Sequence, residues 1–498
     1  TGAAFWFPHI SWLTLYLGLI PWLALGTAMT IWVTLLGLAI GTVTRWLPAV
    51  PWRGGALPRW LRVTGLTVAV AALWTAKELG QSTLPYGGFS WGRIAHTQST
   101  GPFATLAGWL GFAGLSCLVV ALVALPIALL ASRAEPFRLR GWRREFRAPG
   151  TLRVGAAWLL AVALLMVVPT YPLPQVGETT VAAVQGNADA GIFADRKPGD
   201  IFEKHALATE RIVARQPDLI VWPENAGDLD LRRDPFASSV LRSLSERADA
   251  PILTGTILRD RDRATGAEEY FNSLLLWEPG LGLTERYDKR FPVPFAEYMP
   301  NRDFFHAIVP DLVDLVRLNY TAGTRSPVLT IGGLAAGVAI CFDIVFDDQA
   351  QQMIDDGAQI LLAPTNNADF GRTDQSAQQL EIARLRAIET GRVLVNVSTV
   401  GTSAVVLPSG VSLEQLEPFT ADTMVQTVPL YDGKTPAMRF GEGIAGVILA
   451  LAFALLAAAT ATALSGRARI RRERRAEAGS AASAPERPGA ADGNGGAA

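Results

Sequence analysis

The placement of apolar runs constrains this chain more than any other feature. No Asp, Glu, Lys or Arg occurs between Ala3 and Val43, and further apolar runs cover Val63–Glu78, Phe103–Ala131, Val154–Pro169 and Gly443–Leu464. A helix needs about 20 such residues to cross the hydrocarbon layer. Pro8, Gly18 and Pro21 interrupt the first run, which reads as the tail of one helix, a turn, and a span from about Pro21 to Arg45. With 50% hydrophobic and only 18% charged residues over 498 positions, the chain is expected to combine membrane helices with a folded polar part. The expected division is 1–172 helical and membrane-embedded, 173–440 a separate α/β domain, 441–465 a last span, and 466–498 a basic then disordered tail. The chain opens at Thr1 inside an apolar run, so further helices are expected to precede it.

Arginine placement predicts the orientation. Arg45, Arg53, Arg59 and Arg62 fall in one interhelical loop, Arg133, Arg138, Arg140, Arg143, Arg144, Arg147 and Arg153 in another, and a basic run covers Arg467–Arg475. Loops rich in Lys and Arg stay cytoplasmic. The loop Leu79–Pro102 carries one arginine, Arg93, and with block 173–440 it falls on the other side. A net charge of −1 gives no reason to expect a nucleic-acid partner. Two cysteines, Cys117 and Cys341, supply neither a disulfide framework nor a metal-binding spacing.

Within 173–440, short apolar runs alternate with charged helical patterns. Strands are expected at Thr179–Val184, Leu219–Trp222, Ile252–Ile257, Ser273–Trp277, Ala335–Cys341, Ile360–Ala363 and Val393–Val397. Helices are expected at Asp200–Arg215, Pro235–Ala248, Phe346–Asp356 and Thr373–Thr390. The pattern predicts an α/β sandwich with buried central strands.

Three segments place reactive side chains just after apolar strands, where α/β sheets gather their active groups. Pro223 ends one strand and leaves Glu224, a candidate base, although an exposed loop glutamate is an equal reading of that segment alone. Lys289 is one of five lysines among 44 basic residues and lies in a Pro-rich, aromatic loop. An ammonium there can neutralise an oxyanion and keep a neighbouring thiol ionised, or it can simply make a surface ion pair. Cys341 closes the run Leu334–Cys341. An isolated cysteine in such a run is more often inert, but as a nucleophile it needs a base and a cation, which Glu224 and Lys289 would supply. His9, His96, His205 and His306 lie outside these strand ends.

Trp222–Glu224, Asp288–Arg290 with Val293–Glu297, and Ile340–Asp343 resemble the Glu-Lys-Cys segments of the nitrilase superfamily, in that order. Val184–Asn187, Thr365–Gly371 and Ala383–Glu389 fit as well. With apolar spans on both sides, the whole chain resembles the apolipoprotein N-acyltransferase family. The resemblance implies a multi-pass α-helical membrane domain carrying a nitrilase-like αββα sandwich on its outer face. It makes Glu224 the general base, Lys289 the oxyanion-stabilising cation, Cys341 the nucleophile and Glu297 a second glutamate supporting the lysine. Asn187, Phe193, Asn366 and Asn367 become substrate-contact candidates. Phe342-Asp343 replaces the family's usual Tyr-Glu, and Thr365–Gly371 lacks its usual Trp.

The implied reaction moves an acyl chain from the sn-1 ester of a membrane phospholipid, through a Cys341 thioester, to the N-terminal amine of a diacylglyceryl-cysteine lipoprotein. No cofactor or metal is expected. Other readings are a membrane-tethered amidase using water as acceptor, and an inactive lipoprotein-binding scaffold. The expected location is a bacterial plasma membrane with the catalytic domain outside the cytoplasm. The Arg/Ala/Gly-rich, Lys-poor composition suggests an actinobacterium, and some enzymes of this kind are linked to a cytoplasmic polyprenol-phosphate mannose synthase.

Overall fold

The structure, a computed structural model, describes residues 1–51, 55–132, 149–188, 191, 195, 197–262 and 264–482. The apolar runs at the two ends form a helical bundle. Helices Leu19–Trp46, Arg59–Gln81, Ala107–Ala131 and Pro436–Ala482 pack on one another, and Pro149–Met166 follows the third of them. Among the described residues, three helices are long and apolar enough to cross a membrane: Leu19–Ala49, Ala104–Ala131 and Pro436–Gly466. The expected span Val63–Glu78 lies in Arg59–Gln81, the helix most enclosed by its neighbours, which hide Ala69, Ala72 and Glu78. Glu78 accepts from Trp74 Nε1 at 3.0 Å and from the Ile94 N–H at 2.8 Å, and the Lys77 ammonium lies 5.5 Å from the Trp6 ring, contacts that compensate their burial.

The bundle's ends sort cleanly. Trp46 meets Gly466, and the Arg59 Nε donates to the Ser132 hydroxyl at 3.2 Å, so the arginine-bearing ends lie together. The opposite end carries the α/β domain. The last helix continues to Ala482, past the basic run, where a disordered tail was expected from Ala476. The arginines 133–147, Arg53 and residues 483–498 fall outside the described residues.

Two six-stranded sheets form the α/β domain. The first runs β12(Asp422–Tyr431), β1(Gln175–Gln185), β2(Leu219–Val221), β3(Ile252–Arg261), β4(Glu268–Glu278), β5(Gly282–Asp288). The second runs β11(Ser412–Gln415), β10(Ala404–Val406), β9(Leu394–Ser398), β8(Ile360–Thr365), β7(Leu334–Val338), β6(Val328–Ile331). In each sheet three parallel strands form the centre, β1-β2-β3 and β7-β8-β9, with antiparallel strands outside. Parallel strands need cover on both faces, which explains their unbroken Val/Ile/Leu runs.

Val181, Val221, Leu253 and Leu276 of one sheet meet Val338, Ile360, Leu362 and Val395 of the other, so the sheets pack face to face. Each such side chain contributes about 1.5–3 kcal/mol by leaving water. Helices Asp200–Glu210 and Pro235–Ala248 cover the outer face of the first sheet. The second of these starts at Asp234-Pro235, where the Asp234 carboxylate accepts the Ala237 N–H at 2.8 Å and proline fills the first helical position. Helices Asp347–Asp355 and Gln375–Thr390 cover the second sheet, and their far side merges with the bundle through Trp6, Trp12, Trp91 and Phe112. The layers are therefore αββα, as expected.

Two expectations are corrected. The helix from Asp200 stops at Glu210, with a separate 3-10 turn at Val213–Arg215. Strand β7 stops at Val338, before Cys341, because the cysteine opens a 3-10 turn, Cys341–Val345, with φ of +50°.

Candidate active site

The strand ends of the two sheets converge. Glu224 follows β2, and Pro223 removes the N–H that would extend the ladder. Its carboxylate is almost enclosed and fully bonded: Oε1 accepts from Asn272 Nδ2 at 2.7 Å and Lys289 Nζ at 3.1 Å, and Oε2 accepts the Asn366 N–H at 2.8 Å. Lys289 follows β5, with its N–H bonded to the Asn272 carbonyl at 2.8 Å. Its ammonium also meets Glu297 at 2.9 Å, and Glu297 accepts from Asn272 Nδ2 at 2.9 Å and from the Val293 N–H at 2.6 Å. Burial pulls the ammonium towards neutrality, yet the two carboxylates outweigh it and hold its pKa well above the ordinary value.

Cys341 stands on the turn from the second sheet, with Sγ 4.0 Å from Gln379 Oε1, and Gln379 Nε2 donates to the Thr365 hydroxyl at 3.0 Å. Burial and the Glu224 charge push its thiol up to about 12, and Lys289 offsets only part of this. The expectation that Lys289 keeps the thiol ionised is therefore corrected. One ammonium between two carboxylates leaves net negative charge facing the sulfur, which favours the protonated thiol.

Asp343 is fully enclosed and braces the turn from below. It accepts from the Tyr287 hydroxyl at 2.9 Å, the Phe291 N–H at 2.8 Å and the Ile340 N–H at 3.2 Å. Burial raises it to about 6 despite these donors. Phe342 points the other way, into an aromatic group with Phe346 at 5.0 Å and Phe89 at 6.4 Å between ring centroids. Phe89 belongs to the bundle's loop 82–103, whose aromatic stretch Pro85–Trp91 has the composition of an interfacial belt. Instead that loop walls the site: Tyr86 packs on Phe295 and Phe305, and its hydroxyl accepts from Asn301 Nδ2 at 2.9 Å. A cavity of about 310 Å³ opens here, lined by Tyr86, Phe291, Pro294, Tyr298, Phe342 and Phe346 among others.

The remaining candidates divide. The Asn366 N–H already holds Glu224. Asn367 is buried and donates to Gln375 at 2.7 Å and Gln379 at 3.2 Å, placing it beneath the cysteine's neighbour rather than in the cavity. Asn187 lies two residues beyond β1 with left-handed backbone, and its carbonyl accepts from Lys204 at 3.5 Å. Phe193 falls outside the described residues. Where the family's Trp is missing, Phe370 packs on Trp12 and Tyr16 of the bundle. Asn272, Thr365 and Gln379 were not foreseen. A buried Asn-Ser pair inside the apolar strand β4 was the available signal, since polar groups at core positions need partners.

Residues 180–434 match the carbon-nitrogen hydrolase family model, and residues 1–125 match the apolipoprotein N-acyltransferase N-terminal domain. The chain is 33% identical over 471 residues to an apolipoprotein N-acyltransferase of Mycolicibacterium smegmatis, covering 91% of this chain and 75% of that one. It is 30% identical over 421 residues to one of Pseudomonas aeruginosa, covering 80% and 77%. Among solved structures, the amidase from Nesterenkonia sp. AN1 is similar over 52% of this chain and 94% of its own, at 18% identity and a TM-score of 0.38.

Proposed function

Because the chain belongs to the apolipoprotein N-acyltransferase family, we propose that its lipoprotein N-acylation runs on Glu224, Lys289 and Cys341 with a phospholipid as acyl donor. The observation that carries this assignment is the meeting of Glu224, Lys289 and Glu297 in one hydrogen-bonded group whose charges act on the Cys341 thiol. As Sγ attacks the ester carbonyl, Glu224 takes the thiol proton and the Lys289 ammonium faces the developing oxyanion. Collapse breaks the ester C–O bond, the leaving alkoxide takes the proton from Glu224, and lysophospholipid departs. In the second half the lipoprotein's α-amine attacks the thioester, Glu224 accepts its proton, the C–S bond breaks, and the sulfur is reprotonated. The new bond is an amide and the enzyme is restored.

The membrane setting supports both substrates. The catalytic domain sits at the bundle end opposite the arginine-bearing ends, which under the positive-inside rule supports an extracytoplasmic location. Phe304, Ile308 and Leu315, on the segment beyond the cavity, expose large apolar surfaces suited to the lipid interface.

The test incubates the full chain, in detergent or nanodiscs, with acyl-labelled phospholipid. The expected result is a hydroxylamine-sensitive adduct that Cys341→Ala abolishes and a lipopeptide amine discharges. An adduct surviving in Cys341→Ala would overturn the nucleophile. Discharge by water at an equal rate would favour an amidase, and no adduct at all a binding scaffold.

A further inference from the structure

The catalytic turn is gripped from the bundle side by charged groups that the reaction does not use. Arg386, fully enclosed, donates through Nε to the Ile344 carbonyl and through Nη2 to the Val345 carbonyl, both at 3.0 Å. These carbonyls close the turn that Cys341 opens. The same guanidinium meets Asp347 at 2.7 Å and pairs with Glu389. Asp347, partly exposed, is held a second time by Arg93 of loop 82–103, whose Nη1 reaches both carboxylate oxygens at 2.9 and 2.8 Å.

The bundle contributes more than one charge. Helix Ala107–Ala131 breaks at Gly111, where φ is +67°, and the next N–H, that of Phe112, donates to Glu389 at 3.1 Å. The Phe112 ring lies against both guanidiniums, 3.9 Å from Arg386 and 5.4 Å from Arg93. Glu78 of the bundle accepts the Ile94 N–H at 2.8 Å and so holds the backbone beside Arg93. From Glu78 to Val345 the connection crosses between domains through enclosed guanidiniums, which have little freedom to re-pair.

We propose that Arg93 is a positioning residue for acyl transfer, acting through Asp347 and Arg386 to fix the Cys341–Val345 turn. The membrane bundle is then part of the catalytic apparatus as well as its anchor. Cys341 holds a left-handed backbone, a conformation that persists only where the surroundings over-determine it, and Arg93 supplies one of those constraints from the other domain. The inference rests on the assignment of Cys341 as nucleophile.

The experiment uses the full chain in nanodiscs and measures single-turnover formation of the Cys341 adduct, KM for phospholipid, and Tm. Arg93→Gln is expected to slow adduct formation roughly ten- to hundred-fold, as for a small misplacement of a reacting group, with KM unchanged. Arg93→Lys, keeping the charge but losing the planar guanidinium and its reach, is expected to fall between parent and Arg93→Gln. Adduct formation within two-fold of the parent, even with a lowered Tm, would make Arg93 a structural contact and overturn the proposal. A raised KM at unchanged rate would overturn it in favour of a lipid contact. Should Arg93→Gln fail to accumulate, a slowed Arg93→Lys with parental KM supports the proposal and a parental rate sinks it. Failure of the nucleophile assignment appears separately, as an adduct persisting in Cys341→Ala.

Discussion

The Lys289 ammonium lies 3.1 Å from the Glu224 carboxylate, with both side chains withdrawn from water. Glu297 takes the same ammonium at 2.9 Å, so neither carboxylate owns it. Replacing Lys289 by Met therefore strands two neighbouring carboxylates. Breaking a buried pair from one side costs about 3–5 kcal/mol. Lys289→Met should lose adduct formation completely and lower Tm by several degrees. A variant with parental Tm would mean that the three groups are less coupled than their distances say.

The thiol's raised pKa, about 12, has a sign that can be measured. Only the thiolate is alkylated, so the free enzyme's iodoacetamide rate should keep climbing past pH 9, where an ordinary cysteine levels off. At pH 8 the rate should be lower than that of a model thiol by two to three orders of magnitude. Glu297→Gln removes a charge that opposes the thiolate and should bring the profile to lower pH. A plateau at or below pH 9 in the parent would refute the resting thiol.

Asp343 titrates near 3.8 when unfolded and near 6 in the fold, mainly because it is buried. The fold thus favours its protonated form. Its contribution to stability is full below about pH 3.8 and is lost as pH rises through 6, by an amount on the order of 3 kcal/mol. Asp343→Asn cannot titrate and leaves one of three donors without its acceptor, so it should be less stable than the parent at pH 4.5 by more than at pH 7. Thermal melts at the two pH values check this, and an equal Tm gap at both would sink it.

Phe342 and Phe89 stack across the domain boundary, 6.4 Å apart at 24°. A double-mutant cycle with Phe89→Ala and Phe342→Ala should give a coupling of about 0.5–1.5 kcal/mol. Phe342→Ala alone should also make loop 82–103 more sensitive to proteolysis. Additive effects would mean that the two rings share a cavity without supporting each other.

What the sequence made legible were features carried by local pattern. Glu224 and Lys289 could be placed because Pro223 and the Pro-rich loop punctuate apolar strands, and the αββα layering followed from buried parallel runs. Contacts that close over long distances stayed hidden. β12 pairs with β1 across the whole domain, and nothing within Asp422–Tyr431 points to its partner. Cys341 reads as the end of a strand because hydropathy continues through Ile340, whereas the last bond to β8 is made by the Ala339 N–H to the Leu362 carbonyl at 3.0 Å, and the Ile340 N–H turns to Asp343. Loop 82–103 looked interfacial because Tyr86, Phe89 and Trp91 suit a membrane surface as well as they suit Phe342 and Phe295.

Two glycines stand directly behind the proposed base and cation, Glu224 and Lys289. A methyl on Gly255 would lie 2.6 Å from the Pro223 carbonyl and 2.7 Å from Glu224 Cα, and one on Gly323 would lie 2.0 Å from the Asp288 carbonyl, next to Lys289. All three contacts are with backbone, which cannot swing aside as a flexible side chain can. Gly255→Ala should therefore displace Glu224, and Gly323→Ala, whose N–H also bonds the Lys289 carbonyl at 2.8 Å, should displace Lys289. Each is expected to cost roughly a hundred-fold in acyl transfer for a shift near 1 Å. The two should differ in pH response. Displacing the base weakens proton removal from the thiol, so raised pH should restore part of the Gly255→Ala rate; displacing the cation removes oxyanion support, which added base cannot replace. Rates of adduct formation at pH 7 and pH 9 separate the cases, and equal recovery in both variants would show that the glycines hold the fold in general rather than one group each.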